Sequence, residues 1–320
     1  MEVFVLNRGR NPKKRTIPES VTKLTGDITD IASVEAALGT TTFDVVVNFL
    51  SYGAEDATRA IGLFRNRTRH YIHISTASMY HKPILQVPIV ESNLRQNSFV
   101  PYSREKIAAE DLLMQAHVTD GFPVTIVRPS HTYDEANPPL AGSWTVFDRI
   151  ERGAEVVVHG DGTSLWTLTH AADFAQGLVG LMGNQRAVGE AFHITSDDVY
   201  TWDQIYTLVG DALGVSVKLI HVPSEFFMLA APEWHWSELF LGDLGHSAIF
   251  DNSKIRRYVP SYAPQHTFIR SVVDMARWRA EHPQEAEGDP VIEELLDRMT
   301  IGYHGAHDVF AALAPKGVHA

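Results

Sequence analysis

The chain has 320 residues, 44% hydrophobic and 21% charged, enough to bury one large core or two unequal ones. Lys and Arg number 27 against 39 Asp and Glu, and the resulting net charge of −12 repels nucleic acid and anionic lipid. Cysteine is absent, which excludes disulfides, thiolate metal sites and a Cys nucleophile or acid/base, and no apolar run reaches the ~18 residues of a membrane span. No leader-like apolar stretch follows Met1, so a cytoplasmic protein is expected.

Short β-branched runs alternate with amphipathic stretches through the first half, a pattern that predicts βαβ units and a parallel sheet. Strands are predicted at Val3–Leu6, Val21–Leu24, Val45–Leu50, Tyr71–Ser75 and Val124–Val127, and helices at Ile31–Leu38, Glu55–Phe64 and Ser103–Gln115. Their continuous apolar character predicts burial on both faces of the sheet. After Pro129 the texture changes. Asn137-Pro138-Pro139 breaks the chain, Gly160-Asp161-Gly162 makes a turn, Ala171–Met182 reads as a helix and Ala191–Thr195 as one more strand. The remainder is mostly helical and rich in aromatics, with a solvated charged loop expected at Arg277–Asp289 and a helix at Pro290–Met299. There is no internal repeat and no low-complexity segment.

Chemistry enters at "PYSREKIAAEDLL". Tyr102 and Lys106 stand at i and i+4, so on a helix both side chains leave one face a turn apart. A free tyrosine titrates near ~10, and a neighbouring ammonium lowers that value by stabilising the phenolate. The spacing alone also describes an ordinary surface Tyr–Lys pair. Some 25 residues earlier, however, "STASMY" places Thr76 at the C-terminal end of a predicted strand, where open α/β sheets bind ligands. By itself that stretch also reads as a turn that caps the strand.

Taken in order, these motifs resemble the extended short-chain dehydrogenase/reductase superfamily, the NAD(P)-dependent epimerase/dehydratase family. "LNRGR" is similar to the end of its second strand, "GDITD" to its adenine-contacting turn, "NFLSY" to the segment after its fourth strand, and "ISTASMY" with "YSREK" to its catalytic pair. "IVRPSHTYD", "GDGTSLWTLTHAADFA" and "FDNSKIRR" continue the likeness into the second half. The resemblance implies a Rossmann-like doubly wound α/β fold (residues 1–133 and 163–198) and a smaller, mostly helical substrate-binding domain (134–162 and 199–320). It implies Thr76, Tyr102 and Lys106 as catalytic residues. It implies cofactor contacts from Asn7, Arg8, Asp27, Ile28, Phe49, Leu50, Ser51, Lys106, Pro129 and His131, and substrate contacts from Ser78, Tyr80, Trp166 and His235. No metal is expected, although Trp234, His235, Trp236, Asp243 and His246 crowd one segment that would cover the substrate cleft.

The chain departs from the family pattern in several places. No G-x-x-G-x-x-G turn occurs anywhere in it, and "MEVFVLNRGR" reads as a second strand with no first; the expectation is a truncated start, an unpaired strand edge in the sheet and weak dinucleotide binding as written. Asn7 and Arg8, with Arg10, Lys13, Lys14 and Arg15 close behind, stand where NAD-preferring members carry an acid, so NADP is favoured over NAD. Thr76 is followed by Ala77 and Ser78 rather than the Asp-Glu pair of the dehydratases, which disfavours dehydration. The lack of Cys removes the Cys–His epimerisation route, and Trp166 replaces an Arg that would pair with a substrate diphosphate. What remains is an NAD(P)-dependent oxidoreductase or epimerase acting on a sugar-like or other small polar substrate. The alternative is a non-catalytic, cofactor-sensing or RNA-binding relative of the chloroplast stem-loop-binding kind. The partner is expected to be a small molecule rather than nucleic acid or membrane, with a homodimer through the Ser103–Gln115 helix as a further possibility for such folds.

Overall fold

The computed structural model describes residues 1–10 and 16–313, so Lys13, Lys14 and Arg15 lie outside the described residues. The predicted βαβ rhythm is realised as β1 (Val3–Asn7), β2 (Val21–Thr25), α1 (Ile31–Leu38), β3 (Val46–Asn48), α2 (Ala54–Phe64), β4 (Tyr71–Ile74), α3 (Pro101–Asp120) and β5 (Val124–Pro129). Strands β3, β4 and β5, joined by β10 (Ala191–Ile194), form one parallel sheet in the order β10-β5-β4-β3. On one face Tyr71, Val124 and Ile126 pack against Ala57, Ala60, Ile61 and Phe64 of α2 and Ala109 and Leu113 of α3. On the other, Ile72, Ile74, Val127 and Phe192 meet Phe174 and Leu178 of α5 (Ala171–Leu181) and Ile255 of α9 (Ser253–Tyr258). Both faces are therefore buried, as the apolar strands require.

Strands β1 and β2 pair with each other in parallel, from Val3↔Val21 to Asn7↔Thr25, and form a separate hydrogen-bonded sheet. Leu6, Leu24 and Ile28 still pack on the same core as Val46, and Phe4 meets Phe43 edge-on at 5.4 Å. Among the described residues, β1 and β3 each keep one edge without a strand partner. The expected strand over Val45–Leu50 is shortened to three residues, because Asn48 folds back on the chain. Its Oδ1 accepts from the N–H of Leu50 (2.8 Å) and its Nδ2 donates to the Tyr71 hydroxyl (2.9 Å), which leaves Phe49 and Leu50 outside, exposed.

The catalytic-motif helix α3 runs from Pro101 to Asp120, longer than predicted at both ends. Pro101 suits the first turn, where its missing N–H leaves no bond unmade. Gly121 ends the helix in the left-handed conformation (φ 69°) that glycine adopts without strain.

A second core lies beyond β6 (His131–Tyr133). It contains α4 (Trp144–Glu151), β7 (Glu155–His159), α6 (Trp202–Leu213), β12 (Lys218–Val222) and the helices α10 (Phe268–Glu281) and α11 (Pro290–Ala312). The short β8 (Leu165–Trp166) and β9 (Leu168–His170) pair with β11 (Tyr200–Thr201) and β6, respectively. Covering it are α7 (Ser224–Ala230), α8 (His235–Leu239) and a π-turn at Phe240–Leu244. The predicted charged loop begins inside α10, because Trp278 stacks on Trp144 at 5.6 Å and carries the helix to Glu281. The terminal helix extends past Met299 to Ala312; buried Leu296 and Met299 and the reach of Arg149 to Glu293 and Asp297 anchor its first half.

Candidate active site

Strand β4 delivers Thr76 in extended conformation (φ −151°), and its hydroxyl caps the following turn by accepting from the N–H of Ser78 (3.2 Å). The Ser78 hydroxyl lies 3.0 Å from that of Thr76 and 2.8 Å from that of Ser103 on α3, so a chain of hydroxyls ties the strand end to the helix. One turn along α3, Lys106 is 1% exposed, and its ammonium donates to the carbonyls of Ser51 (2.8 Å) and Ile74 (2.9 Å). The Tyr52 ring faces the same ammonium at 4.9 Å, the Tyr102 ring lies 5.8 Å from it, and the two rings stand 6.3 Å apart. Thr76, Tyr102 and Lys106 thus converge at the C-terminal end of the parallel sheet, where their i, i+4 spacing and the strand end predict a ligand.

Electrostatics poise this group. Burial pushes the Tyr102 phenol up to about 12, the approaching Thr76 hydroxyl pulls it down, and Tyr52 and Asp243 push it further up. Burial brings Lys106 down to about 8 against the pull of Glu110 and Asp56. At neutral pH Tyr102 is a proton donor beside an ammonium.

The N-terminal candidates gather at the ends of β1 and β2. Asn7 Oδ1 accepts from the N–H of Gly9 (2.8 Å), and Arg8, 66% exposed, reaches to 3.9 Å from the Asp27 carboxylate. Asp27 accepts from the N–H (3.0 Å) and hydroxyl (2.8 Å) of Thr29, bonds that hold its carboxyl below the usual range. Ile28, Leu50 and Ser51 line one narrow recess with Asn48, next to the Lys106 carbonyl partner, whereas the Phe49 side chain is exposed and lines no part of it. Pro129 ends β5 opposite Ile194, and His131, pushed down to about 4 by burial and so neutral, packs against Trp236 of α8 at 5.5 Å.

The substrate-contact candidates are not brought together. Only Ser78 stands beside Thr76. Tyr80 is buried, its hydroxyl 2.5 Å from His193 Nε2 and accepting from Arg128 (2.9 Å), so its polar atom points into the core. Trp166 is buried against Trp202 (6.0 Å), with the Lys82 ammonium 5.8 Å from its ring. His235 is 61% exposed and pairs with Glu238 of its own helix (3.4 Å), while Asp243 pairs with Lys82 (2.7 Å), so the crowded segment spends its polar groups on separate partners.

Sequence reasoning passed over three features. Tyr52 caps Lys106; it closes the "NFLSY" segment, from which only Phe49, Leu50 and Ser51 were assigned contacts. Glu110, at i+4 from Lys106, receives a two-pronged contact from Arg128 (2.9 and 2.6 Å). Asn97, five residues before Tyr102, carries no motif at all.

Residues 1–195 match the model of the NAD dependent epimerase/dehydratase family. The chain is 25% identical over 302 residues to the 2'-dehydrokanamycin reductase of Streptomyces kanamyceticus, covering 93% of this chain and 83% of that protein. It is 26% identical over 240 residues to the chloroplast stem-loop binding protein of 41 kDa b of Arabidopsis thaliana, covering 70% and 61%. Among solved structures, the epimerase Mth375 of Methanothermobacter thermautotrophicus superposes with a TM-score of 0.73 at 15% identity over 89% of this chain and 86% of that one. The dTDP-glucose 4,6-dehydratase of Bacillus anthracis, solved in complex with NAD, gives 0.71 at 17% identity over 88% and 89%. The doubly wound fold is shared with these structures, and because the family model covers more than half of its length, the chain belongs to the NAD dependent epimerase/dehydratase family.

Proposed function

We propose that this chain is an NAD(P)-dependent oxidoreductase or epimerase that acts on a hydroxyl or carbonyl of a sugar-like or other small polar substrate, with Tyr102 as the acid/base. The observation that carries this reading is the convergence of Thr76, Tyr102 and a buried Lys106 at the sheet's C-terminal end. The kanamycin-reductase likeness, running over nearly the whole chain, supports reduction of a polar carbonyl as the reaction type.

The residues present fit the ribose and nicotinamide end of a dinucleotide. Lys106 spends two of its three N–H groups on carbonyls among the described residues, and the third is left for a ribose hydroxyl. Asp27, Ile28, Leu50 and Ser51 would border the adenine side. The residues that would cradle the pyrophosphate are not supplied by any glycine-rich turn of this sequence. When bound, the nicotinamide supplies or accepts the hydride. Tyr102 gives its phenolic proton to the substrate oxygen in the reducing direction and takes it back in the oxidising one. Thr76 donates a hydrogen bond to the same oxygen, and Lys106 stabilises the phenolate as it forms.

Because the phenol sits near 12, the two directions separate with pH. Oxidation needs the phenolate, so its rate should climb about tenfold per unit between pH 5 and 7, where Lys106 stays largely protonated, while reduction stays flat. Initial rates in both directions across that range check this; an oxidation rate that does not rise excludes Tyr102 as the base.

NADP is the favoured cofactor, because Arg8 and Arg10 flank the turn at the end of β1 and Arg8 is held only loosely, 3.9 Å from Asp27. Arg8→Ala should weaken NADP(H) by about 1.5–3 kcal/mol, the worth of a charge-assisted hydrogen bond, and leave NAD(H) unchanged. Fluorescence titration with both cofactors reads this directly; equal losses for the two would show that the turn does not read the 2′-phosphate.

A further inference from the structure

Asn97 is 1% exposed, and its amide spends its whole hydrogen-bonding capacity on backbone groups. Oδ1 accepts from the N–H groups of Phe99 (3.0 Å) and Val100 (3.1 Å), which lead into α3. Nδ2 donates to the carbonyls of Ser78 (2.8 Å) and Gly242 (2.9 Å). Only this orientation of the amide satisfies all four partners. The segments joined are the turn of Thr76 and Ser78, the start of the helix of Tyr102 and Lys106, and the π-turn Phe240–Leu244. A Cβ at Gly242 would overlap Phe99 and Val100, so the π-turn backbone lies directly on the lead-in to α3. The next residue, Asp243, forms a buried ion pair with Lys82 (2.7 Å), and a π-turn is a rare conformation that concentrates at functional sites.

We propose that Asn97 is a positioning residue that seats the Thr76 turn and the Asp243 π-turn against Tyr102, so that proton transfer at the phenol depends on how these two segments are held. This rests on the reading of Tyr102 as the acid/base. Four groups face the phenol: Lys106 from its own helix, Tyr52 from the turn after β3, Thr76 from the turn after β4 and Asp243 from the π-turn. Thr76 and Asp243 stand on segments that Asn97 holds by its two N–H groups. Releasing those segments withdraws both groups and admits water, and the loss of burial, the largest influence on this phenol, dominates the outcome.

Asn97→Asp and Asn97→Ser separate this role from a mere hold on the chain before α3. Both keep a side-chain oxygen for the N–H groups of Phe99 and Val100, and neither supplies both donors to Ser78 and Gly242, since Asp has none and Ser one. Were that hold the whole role, each variant would be close to neutral, since Asp and Ser oxygens accept from neighbouring N–H groups as Asn does. In protein labelled at tyrosine Cζ, with the Tyr102 resonance identified by its loss in Tyr102→Phe, the onset of the Tyr102 titration should move down by about one pH unit in folded Asn97→Ser, which adds no charge. Turnover should fall with KM less affected. An unchanged Tyr102 titration in folded Asn97→Ser overturns the proposal, as does full turnover in folded Asn97→Asp, whose added carboxylate by itself raises the phenol and so leaves its titration uninformative. The titration needs no substrate, so a failure of the acid/base reading itself would appear separately, as full turnover in Tyr102→Phe.

Discussion

Tyr102→Phe is expected to lower turnover by about 10²–10⁴-fold, the usual loss when a positioned acid/base is deleted. The substitution keeps the ring that packs 6.3 Å from Tyr52 and 5.8 Å from the Lys106 ammonium, so folding and NADP(H) affinity should stay near those of the parent. Lys106→Met is a useful contrast. It removes the charge beside the phenol and the donor left for the ribose, so cofactor binding should weaken along with turnover. Thr76→Val should slow chemistry alone. Steady-state rates with a substrate the parent accepts, combined with cofactor titration, distinguish the three. Near-normal turnover in Tyr102→Phe would show that another group carries the proton and would overturn the acid/base role of Tyr102.

The largest effect on stability is expected at Arg128, on β5. Its guanidinium holds Glu110 by two bonds, donates to the Tyr80 hydroxyl and the Glu91 carbonyl, and is almost fully buried. Burial works against that charge, and Glu110 with Tyr80 more than restores it, so the guanidinium stays protonated. Arg128→Met leaves the buried Glu110 with only Arg95, at 2.9 Å, and should cost about 3–5 kcal/mol, as losing one member of a buried ion pair does. Tyr80 loses a donor as well, its hydroxyl keeping only the contact to His193 Nε2. Urea unfolding with an unchanged m-value measures the loss; a cost below about 1 kcal/mol would mean the network is easily replaced by apolar packing.

The parts of this fold legible from sequence are those set by local pattern. The parallel strands, the helices α1 to α3 and the Thr76, Tyr102, Lys106 set follow from periodicity, from i, i+4 spacing and from a strand-end hydroxyl, all of which act over a few residues. What escaped depends on partners distant in sequence. β3 stops early because the Asn48 side chain reaches Tyr71, 23 residues on. α10 outruns its expected end because Trp278 finds Trp144. The family resemblance implied a substrate contact from Tyr80, yet Arg128 and His193 draw its hydroxyl into the core. Asn97 gave no signal, since an isolated asparagine ahead of a helix reads as an ordinary turn residue. Its four backbone partners become visible only when residues 78, 99, 100 and 242 come together.

The most direct test of Tyr102-assisted hydride transfer is isotopic. NADPH carrying deuterium at the transferable C4 position is incubated, at saturating concentration, with the protein and a panel of neutral keto-sugars and keto-aminocyclitols, and the products are weighed by mass spectrometry. The account predicts one deuterium incorporated per molecule of the accepted carbonyl compound, with incorporation by Tyr102→Phe lower by about two orders of magnitude or more. Equal incorporation by the parent and Tyr102→Phe would contradict it.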